Sequence, residues 1–445
     1  MVFNTRAAFE EFKSVFPNKV ITSDTKSEYQ AAVAIPCNRQ KTGSKFAIRT
    51  TGHNPNAGFS SADETAIVLD IRQLQSKELG SDGVARVGSG NTWGEVYTWL
   101  QGHNLSAIGG RDHNVGLGGL LLGGGLGASP NMHGLGVDGV KNFEVLLADG
   151  TLINANAKEN TDLLRALKGG GPNFGIVTRF DLETHPLIKV KYEINLYKLE
   201  DHVEINKATA AVQEAMESDP KIGLFTNFNN GFAAVGLLYA NTPHERPAVF
   251  APFYHLQSLI SAALPSTDGA LLSLAQAMGH AQESKKRAIS TVTTRVSQDL
   301  YECAYKAWAE VCKILPTDCV LHYTIQPFGK AAAQEGEDRG GNIMGHQGVA
   351  KCWWVFTCEW PESDSDDIVA QKAVATMAES VEVLAKEKGL LLEFKPMGFA
   401  TGSQNVLGSY GAANLKQMRE VAAKYDPEGL FQRSQYGGFL LRDTI

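Results

Sequence analysis

The sequence predicts an α+β protein with more than one domain. Its 445 residues exceed the roughly 100–200 residues of a typical domain. Up to about residue 186, short apolar segments such as KFAIRT, TAIVLDI and FEVLLADG alternate with helical segments, a pattern typical of an α/β or α+β domain. From Lys189 onward the pattern changes to longer helices between alternating strands, which indicates a second domain.

The segments of the first part have recognisable ends. The segment TWGEVYTWLQGH predicts a helix that begins at a threonine cap, and NTDLLRALKGG predicts a helix that ends on glycines. ARVGSG and GIVTRFDLE are rich in β-branched residues and bounded by glycine or aspartate, so we expect buried strands there.

In the second part, VKYEINLYKL, VLHYTIQPF, CWWVFTCEW and LLEFKPMGF alternate as strands do. Helical spacing predicts helices at residues 208–218, 253–262 and 296–314, and a long helix after the acidic segment PESDSDD, whose carboxylates favour a helix start. The segment NLKQMREVAAKYDPEGLF predicts an amphipathic tail helix that stops at Asp426–Pro427.

The composition argues against several classes of protein. A net charge of −7 disfavours a general nucleic-acid surface. No segment is long and apolar enough for a membrane helix, and the start MVFNTRAAFEEFKSVF lacks the pattern of a signal peptide. None of the six cysteines forms a C-x-x-C pair and no H-E-x-x-H spacing occurs, so we expect no metal site. We therefore expect an intracellular, cytoplasmic protein without nucleic-acid or membrane partners.

Glycine is the unusual feature of the composition, with 45 residues, of which 16 cluster at positions 109–139 and 169–175. One interpretation is a loop packed against other backbone. The other is a set of backbone amides that bind an anionic cofactor. The absence of G-K-[ST] favours a flavin pyrophosphate over a nucleoside triphosphate.

Several motifs occur in the order typical of one family. They are FAIRTTGHNPNAGFSS, IVLDIRQL, ARVGSGNTWGEVYTWL, VGLGGLLLGGGLGASPNMHGLGVDGVKNFEVLLADGTL, DLLRALKGGGPNFGIVTRFDLETHP and YGAANLKQMREVAAKYDPEGLFQ. On these motifs the chain resembles the FAD-linked oxidases of the vanillyl-alcohol oxidase or PCMH type, and more closely the berberine-bridge-enzyme-like group of plants and fungi. The resemblance covers nearly the whole chain and says little about the substrate.

The resemblance implies a two-lobed FAD-binding domain and a substrate domain with a mainly antiparallel sheet flanked by helices. Residues 1–186 would bind FAD, residues 187–401 the substrate, and residues 402–445 would return to the FAD domain. His53 would bond covalently to the flavin. The alternative is a histidine whose ring is simply hydrogen-bonded within a turn. The positions that match the family's cofactor motifs are Thr50, Thr51, Gly52, His53, Asn54, Gly58, Asp112, Val115, Gly116, Gly118, Gly119, Gly127, Gly175, Ile176 and Val177.

The chain departs from the family pattern at three places. Asp112 stands where many relatives have a second flavin-linking cysteine, so only the link through His53 is expected. Phe399 stands where relatives often have a tyrosine at the flavin. The stretch between Tyr29 and Phe46 is shorter than in relatives, so the first lobe is either reduced or compromised in its flavin site.

The resemblance implies an oxidase of fungal secondary metabolism that takes a hydride from a small organic substrate and passes electrons to O2. Val115 matches the position that controls oxygen access in relatives. With phenylalanine at 399, we expect the catalytic base on a strand of the second domain, and the candidates are Tyr323 and Glu393. The alternative is a non-redox role such as cyclisation, with the flavin as a scaffold.

Overall fold

The computed structural model describes residues 45–279, 285–362 and 366–444. The predicted shortening of the first lobe falls on residues outside this part, apart from its last two positions. Residues 45–186 contain β1 (Lys45–Arg49), β2 (Ala66–Asp70), β3 (Lys77–Leu79), β4 (Ala85–Gly88), α1 (Trp93–Gln101), β5 (Leu105–Ser106), α2 (Leu117–Leu122), α3 (Pro130–His133), β6 (Val140–Leu146), β7 (Leu152–Asn156), α4 (Thr161–Leu167), β8 (Ile176–Leu182) and β9 (His185–Pro186).

Two sheets carry the loops of this first part. β1 and β2 pair in parallel, and a five-stranded antiparallel sheet has the order β3-β4-β8-β6-β7. The predicted helix start at Thr92 is confirmed, since its hydroxyl accepts from the Glu95 amide while the Glu95 carboxylate accepts from the Thr92 amide. This capping box begins α1 directly after a glycine-rich turn.

One large sheet organises residues 187–401. Its eight strands have the order β13-β10-β12-β11-β15-β16-β14-β17, and all its pairs are antiparallel. The elements are β10 (Lys189–Tyr197), α5 (His202–Ala215), β11 (Ile222–Asn229), β12 (Phe232–Tyr239), α6 (Ala251–Tyr254), β13 (Leu259–Ala270), α7 (Leu271–Ala277), β14 (Lys285–Arg295), α8 (Gln298–Cys312), β15 (Val320–Phe328), α9 (Ala331–Asp338), β16 (Lys351–Pro361), α10 (Asp367–Glu387) and β17 (Leu391–Leu392).

The two faces of the large sheet have different neighbours. On one face, Trp354 of β16 belongs to a core shared with Trp308 of α8 and Met377 of α10. On the other face, the adjacent Trp353 joins a core that includes Trp93 and other residues of the first part. Successive side chains of a strand point to opposite faces, so β16 separates the two cores. The mixture of helix and antiparallel sheet confirms the predicted α+β class.

The predicted helix at 253–262 is wrong. α6 ends at Tyr254, and Leu259–Ala270 forms the edge strand β13, which pairs with β10. Helical spacing misled here because the apolar run LISAAL suits either structure, whereas the adjacent strand β10 supplies a ladder that only a strand can use. The segment LLEFKPMGF is likewise mostly irregular, since only Leu391–Leu392 pairs with β14.

The C-terminal segment contains α11 (Ala412–Tyr425) and α12 (Leu430–Arg433). It contacts the first part of the chain: the Phe46 amide donates to the Ser434 carbonyl at 2.8 Å, and Lys424 Nζ lies 2.7 Å from Asp162 Oδ2. Across the described ranges, no helix has both the length and the apolar character needed to span a bilayer.

Candidate active site between the glycine loops and the large sheet

The turn that carries His53 follows the carboxyl end of β1. Gly52 and Gly58 have φ angles of +75° and +83°, which L side chains rarely adopt, so both positions need glycine. His53 and Asn54 are exposed. Within the described part of the chain, the amides of Thr51 and Gly52 donate to no acceptor, so they can bind a ligand.

The second glycine loop lies against this turn. A Cβ added at Gly116 would lie 2.8 Å from Thr50 Cγ2 and 3.2 Å from Thr51 Oγ1, so glycine permits the close approach. At Gly118 an added Cβ would lie 3.6 Å from Thr50 Oγ1, which is ordinary contact. At Gly119 it would meet no atom within 4 Å, so open space lies over the backbone there.

Asp112 and Val115 lie on the approach to Gly116. Asp112 is 8 % exposed, and its Oδ1 accepts from the Asn114 amide at 2.8 Å. Val115 is half-buried, and its carbonyl accepts from the Trp93 amide at 2.9 Å. The Asp112 carboxylate therefore helps to hold the turn in which relatives have a cysteine.

The four remaining predicted cofactor positions pack the backbone that supports the site. A Cβ at Gly175 would lie 2.5 Å from Val145 Cγ1, so glycine allows β8 to approach β6. Ile176 and Val177 follow as buried residues of β8. A Cβ at Gly127 would lie 3.2 Å from the Gly109 carbonyl. Each of these positions has an observed packing role.

A row of three side chains crosses the face of the large sheet that turns toward the loops. Gln326 of β15 is directly opposite Trp353 of β16, which is directly opposite Thr293 of β14. Directly opposed residues of antiparallel strands point to the same face, so the three side chains are neighbours. The Phe399 ring centroid lies 6.3 Å from that of Trp353, which places Phe399 beside the row.

Arg111 joins the loops to this row. Its guanidinium donates to Gln326 Oε1, across 215 positions of the chain. Burial lowers the pKa of Arg111 to about 10, so the side chain remains charged at neutral pH. The Tyr97 hydroxyl donates to the neighbouring Gly110 carbonyl at 2.8 Å and holds this part of the loop.

The structure does not bring Tyr323 to this site, so its prediction as the catalytic base is wrong. Tyr323 is fully buried on the helix side of β15, with its ring stacked on Phe228 at 5.0 Å and 5.7 Å from Trp308. Burial raises the pKa of the phenol well above its ordinary value. Alternation correctly separated Tyr323 from His322, but the residues that face the loops are His322, Thr324 and Gln326.

Glu393, the other predicted base, has an exposed side chain directly after β17. The next residue, Phe394, is buried against Trp353 with a ring separation of 5.6 Å. The inward position at this point of the chain is therefore taken by a phenylalanine, and Glu393 lies outside the buried row. Sequence reasoning also missed Arg111 and Thr293, and it considered Trp353 mainly a core residue.

The glycine loops and the buried row opposite them indicate the class of the protein, a flavin-binding oxidoreductase. The amides of Thr51 and Gly52, which donate to no acceptor in the described part of the chain, suit a pyrophosphate, and the open space over Gly119 leaves room for a broad ring system. The sequence profile of a family described as an FAD binding domain matches residues 17–156. The chain is 35 % identical to an FAD-dependent monooxygenase of Arthrobotrys oligospora over 399 residues, covering 89 % of this chain and 77 % of the relative.

An FAD-dependent monooxygenase of Cochliobolus heterostrophus is 34 % identical, covering 93 % of this chain and 83 % of the relative. Glucooligosaccharide oxidase of Acremonium strictum shares the fold, with a TM-score of 0.77, 18 % identity, and coverage of 93 % of this chain and 90 % of that one. The chain belongs to the FAD-linked oxidoreductases of the PCMH, berberine-bridge-enzyme-like type, and it is an FAD-dependent enzyme.

Proposed function

We propose that the protein is an FAD-dependent oxidase that removes a hydride from a small organic substrate, with O2 as the final acceptor. The observation that carries this proposal is the arrangement of two glycine loops opposite a buried row of polar side chains. A role in secondary metabolism is supported by another relative, the bifunctional solanapyrone synthase of Alternaria solani, at 29 % identity and with coverage of 89 % of this chain and 77 % of the relative.

Thr51 and Gly52 would bind the pyrophosphate of FAD through their amides, and His53 would form the single covalent link. The other cofactor contacts would come from the start of β8 at Ile176 and Val177, and from the loop positions Thr50, Asn54, Gly58, Asp112, Val115, Gly116, Gly118, Gly119, Gly127 and Gly175. When bound, FAD supplies a hydride acceptor that can be reoxidised by O2. A carboxylate at Asp112 forms no thioether, which supports a single link.

The chain's own residues orient the substrate and control its proton. Phe399 has no titratable group, so the substrate's proton must go to another residue, to water, or be lost before the hydride leaves. A substrate that is already acidic suits this site, because its proton is lost easily. The aromatic side chains Phe394 and Phe399 beside Trp353 would restrict water on this side.

The domain division that we propose assigns residues 1–186 and 402–445 to FAD and residues 187–401 to the substrate. Contacts of the tail with the first part support it. Asn173, in the glycine cluster at residues 169–175, donates to the Phe439 carbonyl at 2.9 Å and accepts from the Leu441 amide at 2.9 Å. A tail whose removal left FAD binding unchanged would contradict this division.

One absorption spectrum and one oxygen assay test the proposed function. We expect the purified protein to be yellow and to release hydrogen peroxide with a suitable phenolic or alcoholic substrate. Because curated relatives are named monooxygenases, the products should also be analysed after reaction under isotopically labelled O2. Incorporation of the label would replace the oxidase by a monooxygenase, and conversion without oxygen consumption would favour a non-redox cyclisation.

A further inference from the structure

Two members of the row formed by Gln326, Trp353 and Thr293 carry buried polar atoms without a hydrogen-bond partner. Trp353 is 3 % exposed and Thr293 is 1 % exposed, and among the described residues neither Trp353 Nε1 nor Thr293 Oγ1 has a partner. Burying a polar group without a hydrogen bond is costly, so such groups are rare and call for an explanation. Two of them on directly opposed residues form a place where a bound ligand would supply the missing hydrogen-bond partners.

Arg111 adds a positive charge at the Gln326 end of the row. Within the described ranges, its guanidinium has Gln326 as its hydrogen-bond partner and no carboxylate within ion-pair distance. A guanidinium has five N–H donors, so most of them remain available. By contrast, Arg287, on the same face of the same sheet, forms an ion pair with Glu359. A half-buried cation that has no counter-ion among the described residues favours an anionic partner.

The surroundings of Trp353 restrict the shape of that partner. Phe328 lies edge-on to Trp353 at 4.8 Å, Phe394 lies at 5.6 Å, and Phe399 lies at 6.3 Å. These aromatic rings pack against Trp353, and such rings favour contact with a flat, conjugated ligand at the edge of the row. The polar atoms of the row would then contact one edge of that ligand.

We propose that Arg111, Trp353 and Thr293 form a subsite for an anionic oxygen on an aromatic or conjugated substrate. Arg111 supplies the charge, and Trp353 Nε1 and Thr293 Oγ1 supply hydrogen bonds. The proposal rests on the proposed function, because it takes this face of the sheet as the substrate face. It names the substrate class as an ionised aromatic acid, phenol or enol, whose proton is already absent.

The experiment measures ligand binding to the flavin-containing protein by calorimetry, without turnover. The probes are benzoate and 4-nitrophenolate, the latter above its own pKa, and neutral benzyl alcohol is the comparison. We expect both anions to bind the wild type and Arg111→Gln to weaken them tenfold or more, because hydrogen bonds to charged groups are strong. Arg111→Lys keeps the charge and should lose less of the affinity for the two anions. The affinity for benzyl alcohol should be unaffected by either change.

Matched variants separate this role from a structural one. Trp353→Phe and Thr293→Val each remove one donor and preserve much of the shape, so each should weaken the anions severalfold. Arg287→Gln removes a paired arginine from the same sheet face and should leave anion binding unchanged. If the anions bind Arg111→Gln and Arg111→Lys as tightly as the wild type, the subsite is wrong. Anion binding by a protein that releases no peroxide with any phenolic or alcoholic substrate would refute the oxidase proposal and leave the subsite standing.

Discussion

Asn56 joins the His53 turn to the segment that carries Phe399. Its Nδ2 donates to the Ala400 carbonyl at 2.9 Å, and its Oδ1 accepts from the Gly402 amide at 2.8 Å. These bonds cross more than 340 positions of the chain, with separations of 344 and 346 residues. The turn of the proposed flavin-linking residue and the segment of the aromatic side chain beside the polar row are therefore connected through one side chain.

Replacing Asn56 tests this connection. Asn56→Ala removes both long-range bonds, and we expect a loss of about 1–3 kcal/mol in the free energy of unfolding, since each bond contributes about 0.5–1.5 kcal/mol. We also expect slower covalent attachment of FAD, measured as flavin fluorescence on the denatured band over time. Asn230→Ala, at an exposed turn, is the control and should change neither quantity. Unchanged attachment in Asn56→Ala would show that the turn holds its shape alone.

His53 should carry the only covalent link to FAD. After denaturation in acid or detergent, we expect flavin fluorescence on the wild-type protein band and none on the band of His53→Ala. Asp112→Ala should retain the fluorescence, because its carboxylate forms no thioether. Flavin that washes entirely into the supernatant of the wild type would refute the covalent link.

Phe399→Tyr should add a proton acceptor beside the polar row. If the wild type lacks a base for simple alcohols, flavin reduction by such alcohols should rise by up to ~100-fold, the range of general acid–base catalysis. Stopped-flow absorbance under anaerobic conditions measures this rate. If the wild type already oxidises simple alcohols as fast as the Phe399→Tyr variant does, it has a catalytic base elsewhere. The proposal that the substrate is already acidic would then fail.

Tyr323→Phe should leave turnover unchanged and should not destabilise the fold. Among the described residues, the Tyr323 hydroxyl has no hydrogen-bond partner, although the side chain is fully buried. An unpaired buried hydroxyl costs about 1–3 kcal/mol, so its removal should raise the free energy of unfolding by a similar amount. Urea denaturation checks this. A large fall in turnover would instead return Tyr323 to the catalytic site.

Lys351 should make stability depend on pH. The side chain is buried, with Nζ 5.5 Å from the centre of the Phe328 ring, and burial lowers its pKa from 10.5 to about 7. Between these values the unfolded chain binds a proton that the folded chain lacks, so stability rises with pH, by up to about 1.4 kcal/mol per unit. Urea denaturation from pH 7 to 10 should show this rise.

In Lys351→Met the pH dependence that this residue gives to the free energy of unfolding should vanish. The variant should be more stable than the wild type at pH 7, and this difference should shrink steadily as the pH increases. Lys416→Met is the matched control, because the Lys416 side chain is 79 % exposed. A wild type and a Lys351→Met variant with parallel pH profiles would mean that Lys351 is already charged in the folded protein.

The strands of the large sheet show which structural features the sequence patterns predict and which they do not. Alternation in VLHYTIQPF correctly placed His322 and Tyr323 on opposite faces. It could not say which face meets the glycine loops, because helices cover one face and the first part of the chain covers the other. Both faces are therefore partly apolar, and Tyr323 was assigned to the wrong one.

The sequence by itself determined the family, the glycine positions of the loops, and the substitutions at Asp112 and Phe399, because each is a local choice of residue within an ordered motif. Only the tertiary structure decided that Arg111 reaches Gln326, 215 positions away, and that Trp353 and Thr293 in the same row have no hydrogen-bond partner among the described residues. The physical reason is that these contacts depend on strand register and on the packing of distant segments, and no local pattern of residues encodes either one.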